Sequence, residues 1–584
     1  MPHILRSDDI AFLLYDVLGI DDIATRPAFS ETGREVFDQV LATAERIAED
    51  HFQPHAAKLD ANEPHFDGEQ VHLIPELRHA LDAYLDAGFL AAPFPPDLGG
   101  MGLPFTVHTA VSAWFAAANW STANYPALTS AAANLLAHHA SPEQKETWLT
   151  PLIEGRYFGT MCLSEPHAGS SVGDIRTRAE PQDDGSYRLF GQKMWISGGE
   201  HDLAENIVHL VLARIPGGPP GTRGISLFIV PRLIDGQRND IRLIGLNHKM
   251  GCRGTVNCAL SFGDVDGATG WLVGAPHQGL AQMFTMMNEM RIGVGMAASA
   301  LALTGYLHAL AYAQDRNQGR PLGAKDPAQP MVPIIEHTDI RRMLLQQKVW
   351  AEGAMALSLY MASLVDRQTS GDAEEARDAT LRLDLLTPVA KSWPSEYGLR
   401  ANEIAIQVLG GAGYTRDWPL ERFYRDNRLN HIHEGTRGIQ GLDLLGRKVP
   451  AQNGAALTQL LREVAADAQA SALPGSETLA EAAQKIGQTT QTLLAANDPE
   501  TMLANATLYC DTLGHLVVGW LWLRQAEAAH RLLPQATGSD AAFLQGKIAA
   551  YRFFLAHDLP QIQTWSTLLA SLDRTALDTS AAQL

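Results

Sequence analysis

Met161-Cys162-Leu163-Ser164-Glu165-Pro166-His167-Ala168-Gly169-Ser170-Ser171 leaves a strand-like run, Phe158 to Leu163, and turns through proline and glycine into a polar loop. A second stretch, Gly191-Gln192-Lys193-Met194-Trp195-Ile196-Ser197-Gly198-Gly199, follows another turn. Short β-type runs surround them at Tyr187 to Phe190, Asn206 to Ala213, Gly224 to Val230 and Thr255 to Phe262. Turn material such as Asp183-Asp184-Gly185 and Pro216-Gly217-Gly218-Pro219-Pro220-Gly221 separates these runs. Outward from this β region the periodicity is helical on both sides. Residues 35–55, 74–88, 105–119 and 125–139 carry apolar positions at three-and-four spacing, which returns from Gly279 to about Gly446. Past Lys448-Val449-Pro450, Ala/Leu/Gln-rich sequence predicts four more helices at about 454–470, 477–496, 500–533 and 539–572. The expected fold is mostly α with an embedded β domain. Its expected parts are an N-terminal extension (1–34), a helical domain (35–156), a middle β domain (157–278), a helical bundle (279–449) and an appended helical domain (450–584).

A chain of 584 residues with 46% hydrophobic content can bury a large core in several domains. Its 65 acidic and 45 basic side chains give a formal charge of −20, and no run of five or more Lys/Arg concentrates positive charge. Nucleic acid and anionic membranes are therefore not expected partners. Cys162, Cys252, Cys258 and Cys510 show no C-x-x-C spacing and read as reduced intracellular thiols. Arg6, Asp8 and Asp9 stand where a secretory signal would be apolar, so a cytoplasmic location is expected. The uncharged stretch Ile292 to Gln314 is long enough to span a bilayer. Ser299, Thr304, His308, Gln314 and several small residues interrupt it, which predicts a bundle-core helix instead.

The chemical candidate lies in His431-Ile432-His433-Glu434-Gly435-Thr436-Arg437-Gly438-Ile439-Gln440, before an apolar helix-like run. A carboxylate held on a tight turn and withdrawn from water has a raised pKa, which suits a proton-abstracting base. His431 and His433 beside Glu434 also suggest a metal, but no third ligand stands at motif spacing. Gly410-Gly411-Ala412-Gly413 lacks the β-α-β setting of a dinucleotide loop and reads as a helix-ending turn. Glu421, Arg422, Arg425, Asp426 and Arg428 read as a salt-bridged, solvated face.

The stretches at 161–171 and 191–199 resemble the flavin-binding segments of the acyl-CoA dehydrogenases, whose patterns are x-C-x-T-E-P-x-A-G-S-D and N-G-x-K-x-W-I-T-N-G. Further matches follow in family order. They are Arg291 in Asn288-Glu289-Met290-Arg291, Arg316 in Tyr312-Ala313-Gln314-Asp315-Arg316, and Gln407-Val408-Leu409-Gly410-Gly411-Ala412-Gly413-Tyr414, ending with the Glu-Gly-Thr turn at Glu434.

The resemblance implies an FAD enzyme that desaturates an acyl-CoA to its trans-2-enoyl-CoA, Glu434 taking the α-proton and flavin N5 accepting the β-hydride. The Glu434 backbone N–H and a ribityl hydroxyl would polarise the thioester oxygen. It also implies that Met161, Leu163 and Ser164 lie against the flavin ring, with Trp195 and Ser197 near its N5 side. Arg316 would meet the pyrophosphate of a partner subunit's flavin, with Gln407, Gly410 and Gly411 at a homodimer interface. Thr436 and Gly438 would touch the adenine half. Ser170 and Arg291 would meet the CoA pantetheine and phosphate, with Gly435 also on the substrate. The implied electron acceptor is an electron-transfer flavoprotein.

Departures from the pattern bear on substrate. Ser164 and Ser197 stand for the usual threonines and keep a hydroxyl. Ser171 replaces an aspartate, and His433 replaces the usual aromatic residue before the base, which would tolerate a more polar acyl chain. Met290 occupies the position that carries the base in some members, and Glu289, one place earlier, is turned away by about 100° on a helix. The N-terminal extension, the Gly/Pro/base-rich insertion from Asn317 to Pro333 and the long C-terminal region resemble a long subgroup. That subgroup contains the 3-methylmercaptopropionyl-CoA dehydrogenases and broad-range fatty acyl-CoA dehydrogenases. Two other readings stay open: an acyl-CoA oxidase reoxidised by oxygen, and a nucleic-acid-binding relative. The second would need a basic C-terminal domain, whereas acids at least balance the bases from 451 to 584.

Overall fold

The structure is a computed structural model that describes residues 4–29, 32–323, 326 and 328–584, without the side chains of 285–288. Parts of the expected 1–34 extension, the Asn288 side chain, and Ala324, Lys325 and Pro327 of the 317–333 insertion lie outside the described residues. Two compact units emerge: Arg34–Pro104 with Trp114–Met290, and Met1–Gly33 with Phe105–Ala113 and Arg291–Leu584.

Within the first unit an eight-stranded sheet forms among the described residues. Its path runs Ile241–Leu246, Asn257–Phe262, Tyr187–Ser197, Ala268–Leu272, Ile225–Pro231, Asn206–Arg214 and Tyr157–Cys162, with Arg178–Pro181 pairing on Tyr187–Ser197 and Asn206–Arg214. Neighbours on the path are antiparallel except the last pair, where Tyr157–Cys162 runs parallel to Asn206–Arg214. The two strands Ile225–Pro231 and Asn206–Arg214 are apolar on both faces because both faces are covered. Val208, Leu210, Leu212 and Leu227 pack with Ala132, Leu135 and Leu136, whereas Val211, Ala213, Phe228 and Val230 pack with Leu189, Leu260 and Phe262.

The structure corrects two boundaries in this unit. Tyr187–Ser197 is one long strand, so the Gly191–Gly199 stretch does not follow a turn but lies mostly inside the strand. Its pairing with Asn257–Phe262 compensates a sequence that looked broken by glycine. Within Phe105–His139 the helix breaks at Asn119, with φ −162 and ψ 89, as the two expected helices require, but the second begins directly after the break and not at 125. The Asn119 amide donates to the Phe52 carbonyl at 3.3 Å and sits 3.1 Å from His55 Nε2, which anchors the interruption.

The second unit is helical. Thr338–Ser370 and Ala373–Leu409 pack together with residues 291–315 and the C-terminal helices Ala455–Ala470, Glu477–Ala495, Ala506–Leu532, Gly538–His557 and Gln561–Ala570. The expected final helix divides at Asp558-Leu559-Pro560, since proline has no N–H to continue the ladder. Ala373–Leu409 starts where Asp372 accepts the amides of Glu374 and Glu375 at 2.9 and 3.0 Å, and ends at Gly410 with φ 59, the expected glycine stop. Gly279–Asp315 is long and apolar enough to cross a membrane by length and composition, and 89% of its apolar window is buried in protein. All four cysteines are buried.

Candidate active site

In the β-containing unit the two flavin-like stretches are physically tied. The Met194 N–H donates to the Ser164 carbonyl at 2.9 Å. Lys193 is wholly buried, and its Nζ lies 2.9 Å from Glu165 Oε1 and 3.0 Å from the Leu163 carbonyl. Glu165 also accepts the Arg176 and Thr177 amides at 2.7 and 3.0 Å, so a buried charge is fully satisfied. This ionised network holds the Glu165 carboxyl below the usual carboxylate range despite burial, with the Lys193 charge the largest lowering influence. Neither residue was singled out from sequence, although both stand inside the quoted stretches.

The bulge at Trp195 has a clear origin. Pairing runs Lys193↔Leu260 and then Ile196↔Cys258, so Met194 and Trp195 together oppose Ala259. Trp195 adopts φ 65, a conformation a bulky residue takes only when its surroundings impose it. The residue is 60% exposed. Met161, Leu163, Ser164 and Ser197 are half-buried nearby in the chain, Ser170 is exposed, and Asn257 donates to the Ser197 hydroxyl at 3.0 Å. No protein group among the described residues pairs with the Ser164 hydroxyl. An uncovered indole on a strained bulge, with spare serine donors, suits a flat heteroaromatic ring with polar edges. These residues fit a flavin.

In the helical unit Glu434 has φ 52, and Gly435 follows at φ 86. A Cβ at Gly435 would stand 2.6 Å from Gln440 Nε2, so the turn requires glycine there. Gln440 Nε2 donates to the Glu434 carbonyl at 3.0 Å, Lys391 Nζ donates to the Gly435 carbonyl at 2.6 Å, and the Thr436 hydroxyl caps the Arg437–Asp443 helix by accepting the Ile439 amide. The Glu434 side chain is only half-buried, yet enough protein surrounds its carboxyl to raise the pKa, against opposing pulls from Arg291 and Lys391. Burial brings the Lys391 ammonium down to about 7.

Several expected site residues receive different surroundings. Arg291, expected at the CoA phosphate, is 3% exposed and pairs with Asp443 at 3.0 Å. His431 is not extended beside His433: the former lies 2.9 Å from the Ser395 carbonyl, the latter 2.9 Å from Asn430 Oδ1. Burial lowers His433 to about 3, leaving a neutral imidazole beside Glu434. Arg425 pairs with Glu421 at 2.6 Å, but Asp426 is buried, so that charged run is not wholly a solvated face. Arg316, Gln407, Gly410, Gly411 and Gly438 are exposed, and Thr436 is half-buried. Glu289 is raised to about 7 by burial, and Asn134 donates to it, so its titration alone would suit a base.

Four family models match the chain in order. They are the acyl-CoA dehydrogenase N-terminal domain over 35–156, its middle domain over 160–265, its C-terminal domain over 277–449, and an acetyl-CoA dehydrogenase C-terminal-like domain over 457–580. The chain belongs to the acyl-CoA dehydrogenase family. It is 36% identical to 3-methylmercaptopropionyl-CoA dehydrogenase of Ruegeria pomeroyi, over 94% of each chain. It is 35% identical to the broad-specificity linear acyl-CoA dehydrogenase FadE5 of Mycobacterium tuberculosis, over 98% of each. Its fold matches an acyl-CoA dehydrogenase complexed with FAD from Bacillus anthracis at a TM-score of 0.77 and 19% identity, covering 97% and 93% of the two chains. As a family member it is an FAD-dependent oxidoreductase that dehydrogenates an acyl-CoA thioester.

Proposed function

We propose that Glu434 is the base that removes the α-proton of an unbranched acyl-CoA, thioether-containing chains included. The observation that carries this reading is a carboxylate held at φ 52, raised in pKa by burial and faced by Arg291 and Lys391. Its raised pKa brings it toward that of an effective general base, and the two cations favour its ionised form. The Gln440 and Lys391 contacts fix the turn carbonyls, leaving the carboxylate aimed by the backbone. Bound FAD supplies the acceptor for the β-hydride.

Met161, Leu163, Ser164, Trp195 and Ser197 would hold the flavin ring, and Thr436 and Gly438 its adenine half. Ser170 and Gly435 would meet the substrate. Exposure of Arg316, Gln407, Gly410 and Gly411 supports a homodimer in which they reach the partner's flavin. A neutral His433 supports a mildly polar acyl chain. Electrons would pass to an electron-transfer flavoprotein, and the lack of C-x-x-C spacing among four buried cysteines suits the cytoplasm.

The test is anaerobic bleaching of the bound flavin by a panel of acyl-CoAs, from short and sulfur-containing to long. Glu434→Gln is expected to retain FAD and CoA binding and lose reduction, whereas Glu289→Gln retains it. Loss in Glu289→Gln with full reduction in Glu434→Gln would transfer the role to Glu289. Rapid reoxidation by oxygen alone would favour an oxidase.

A further inference from the structure

Lys391 lies on Ala373–Leu409 between Pro388 and Pro394, and its side chain is completely buried. A buried ammonium needs close partners, because transfer from water without them is costly. Lys391 Nζ donates to the Gly435 carbonyl at 2.6 Å, one residue beyond the base. Resting on the reading of Glu434 as base, we infer that Lys391 is a positioning residue that clamps the catalytic turn and sets the pH range in which Glu434 is ionised.

The groups facing Lys391 make the assignment specific. From the base segment come Glu434, His433 and Arg437, from Gly279–Asp315 comes Arg291, and from Ala506–Leu532 comes Cys510. His433 is neutral near pH 7, since burial lowers it to about 3, and burial keeps the Cys510 thiol neutral by raising it to about 12. Arg437 is engaged by Glu396 and Asp511, and Arg291 by Asp443. Glu434 is thus the facing carboxylate whose charge answers that of Lys391. A cationic Lys391 lowers the Glu434 pKa, and a neutral one lets it rise. Burial brings the lysine itself down to about 7, and the Glu434 charge opposes that fall. Structure and titration point the same way: the clamp is also an electrostatic setting for the base.

The test uses FAD-loaded enzyme and follows flavin reduction by a saturated acyl-CoA across pH. Lys391→Gln keeps a donor for the Gly435 carbonyl and removes the charge. Its acidic limb is expected to move up by about one pH unit. Lys391→Arg keeps a cation and is expected to hold the limb at its original position. A purely structural lysine would instead lower the rate equally at all pH, so an unmoved limb in active Lys391→Gln overturns the inference. If Lys391→Gln does not retain FAD, Lys391→Met, which also removes the charge, decides: a limb moved up supports the inference, and an unmoved limb overturns it. Glu434→Gln separates this from the underlying reading. If it still reduces flavin, Glu434 is not the base; if it is inactive while Lys391→Gln leaves the limb in place, only the role of Lys391 falls.

Discussion

Arg437 places one guanidinium nitrogen 2.6 Å from both carboxylate oxygens of Asp511 and the other 2.6 Å from Glu396. The helix Arg437–Asp443, just after Glu434, is thereby moored to Ala506–Leu532, an element of the appended C-terminal region. Gly441 reinforces the mooring: a Cβ there would stand 2.7 Å from the Ala506 and Thr507 backbone. Asp511→Ala is expected to cost about 2–3 kcal/mol, less than the loss of a sole partner because Glu396 remains. Chemical denaturation measures it, and a change below about 0.5 kcal/mol would mean the pair is energetically idle.

Glu434 makes stability and activity oppose each other. Its folded pKa is raised, so the folded chain holds a proton that the unfolded chain has lost. Stability from this group is full below the unfolded carboxylate pKa and falls as pH rises through the folded value. Glu434→Gln should therefore melt higher than the parent at neutral pH, with the difference vanishing near pH 4. Equal melting temperatures at both pH values would contradict the raised pKa.

Glu165 and Lys193 predict an asymmetry. Glu165→Ala leaves a wholly buried ammonium with only the Leu163 carbonyl and is expected to cost about 3–5 kcal/mol. Lys193→Met leaves a carboxylate that still accepts the Arg176 and Thr177 amides, so it should cost less. Both should weaken FAD retention, because the pair joins the loop at Ser164 to the strand that carries Trp195. Identical losses in the two variants would refute the asymmetry.

Lys547 ties the chain's ends together. It is fully buried, bonded to Asp9 and 2.8 Å from Glu352. Lys547→Met should destabilise by about 3–5 kcal/mol, since two buried carboxylates lose their shared cation. Thermal unfolding of the variant, and of a chain lacking residues 4–29, measures it. An unchanged melting temperature on removing the segment would show that its docking contributes no stability.

Alternation and three-and-four spacing were sufficient to expect a β domain among helices, because burial acts on every side chain of a strand or helix at once. They failed at Gly191, where strand pairing overruled one residue's local preference, and at 120–124, which are helical directly after the break at Asn119. Glu434 was legible because a carboxylate beside Gly-Thr on a turn is unusual. Lys391 was not: within Leu385–Trp393 it looks like any lysine on a helix, and nothing local says that its ammonium ends under a carbonyl 44 residues away. Residue type does not reveal either that Asp443 closes over Arg291.

By itself, the sequence determined the order of helical and β segments, the family, the flavin chemistry and the candidate base, all of which rest on local pattern and residue type. Tertiary structure alone decided which charges surround that base, that Arg291 pairs inward, and that Arg437 ties its helix to Asp511. Pairing energies and pKa shifts depend on distance and burial, and both are set by packing between residues far apart in the chain.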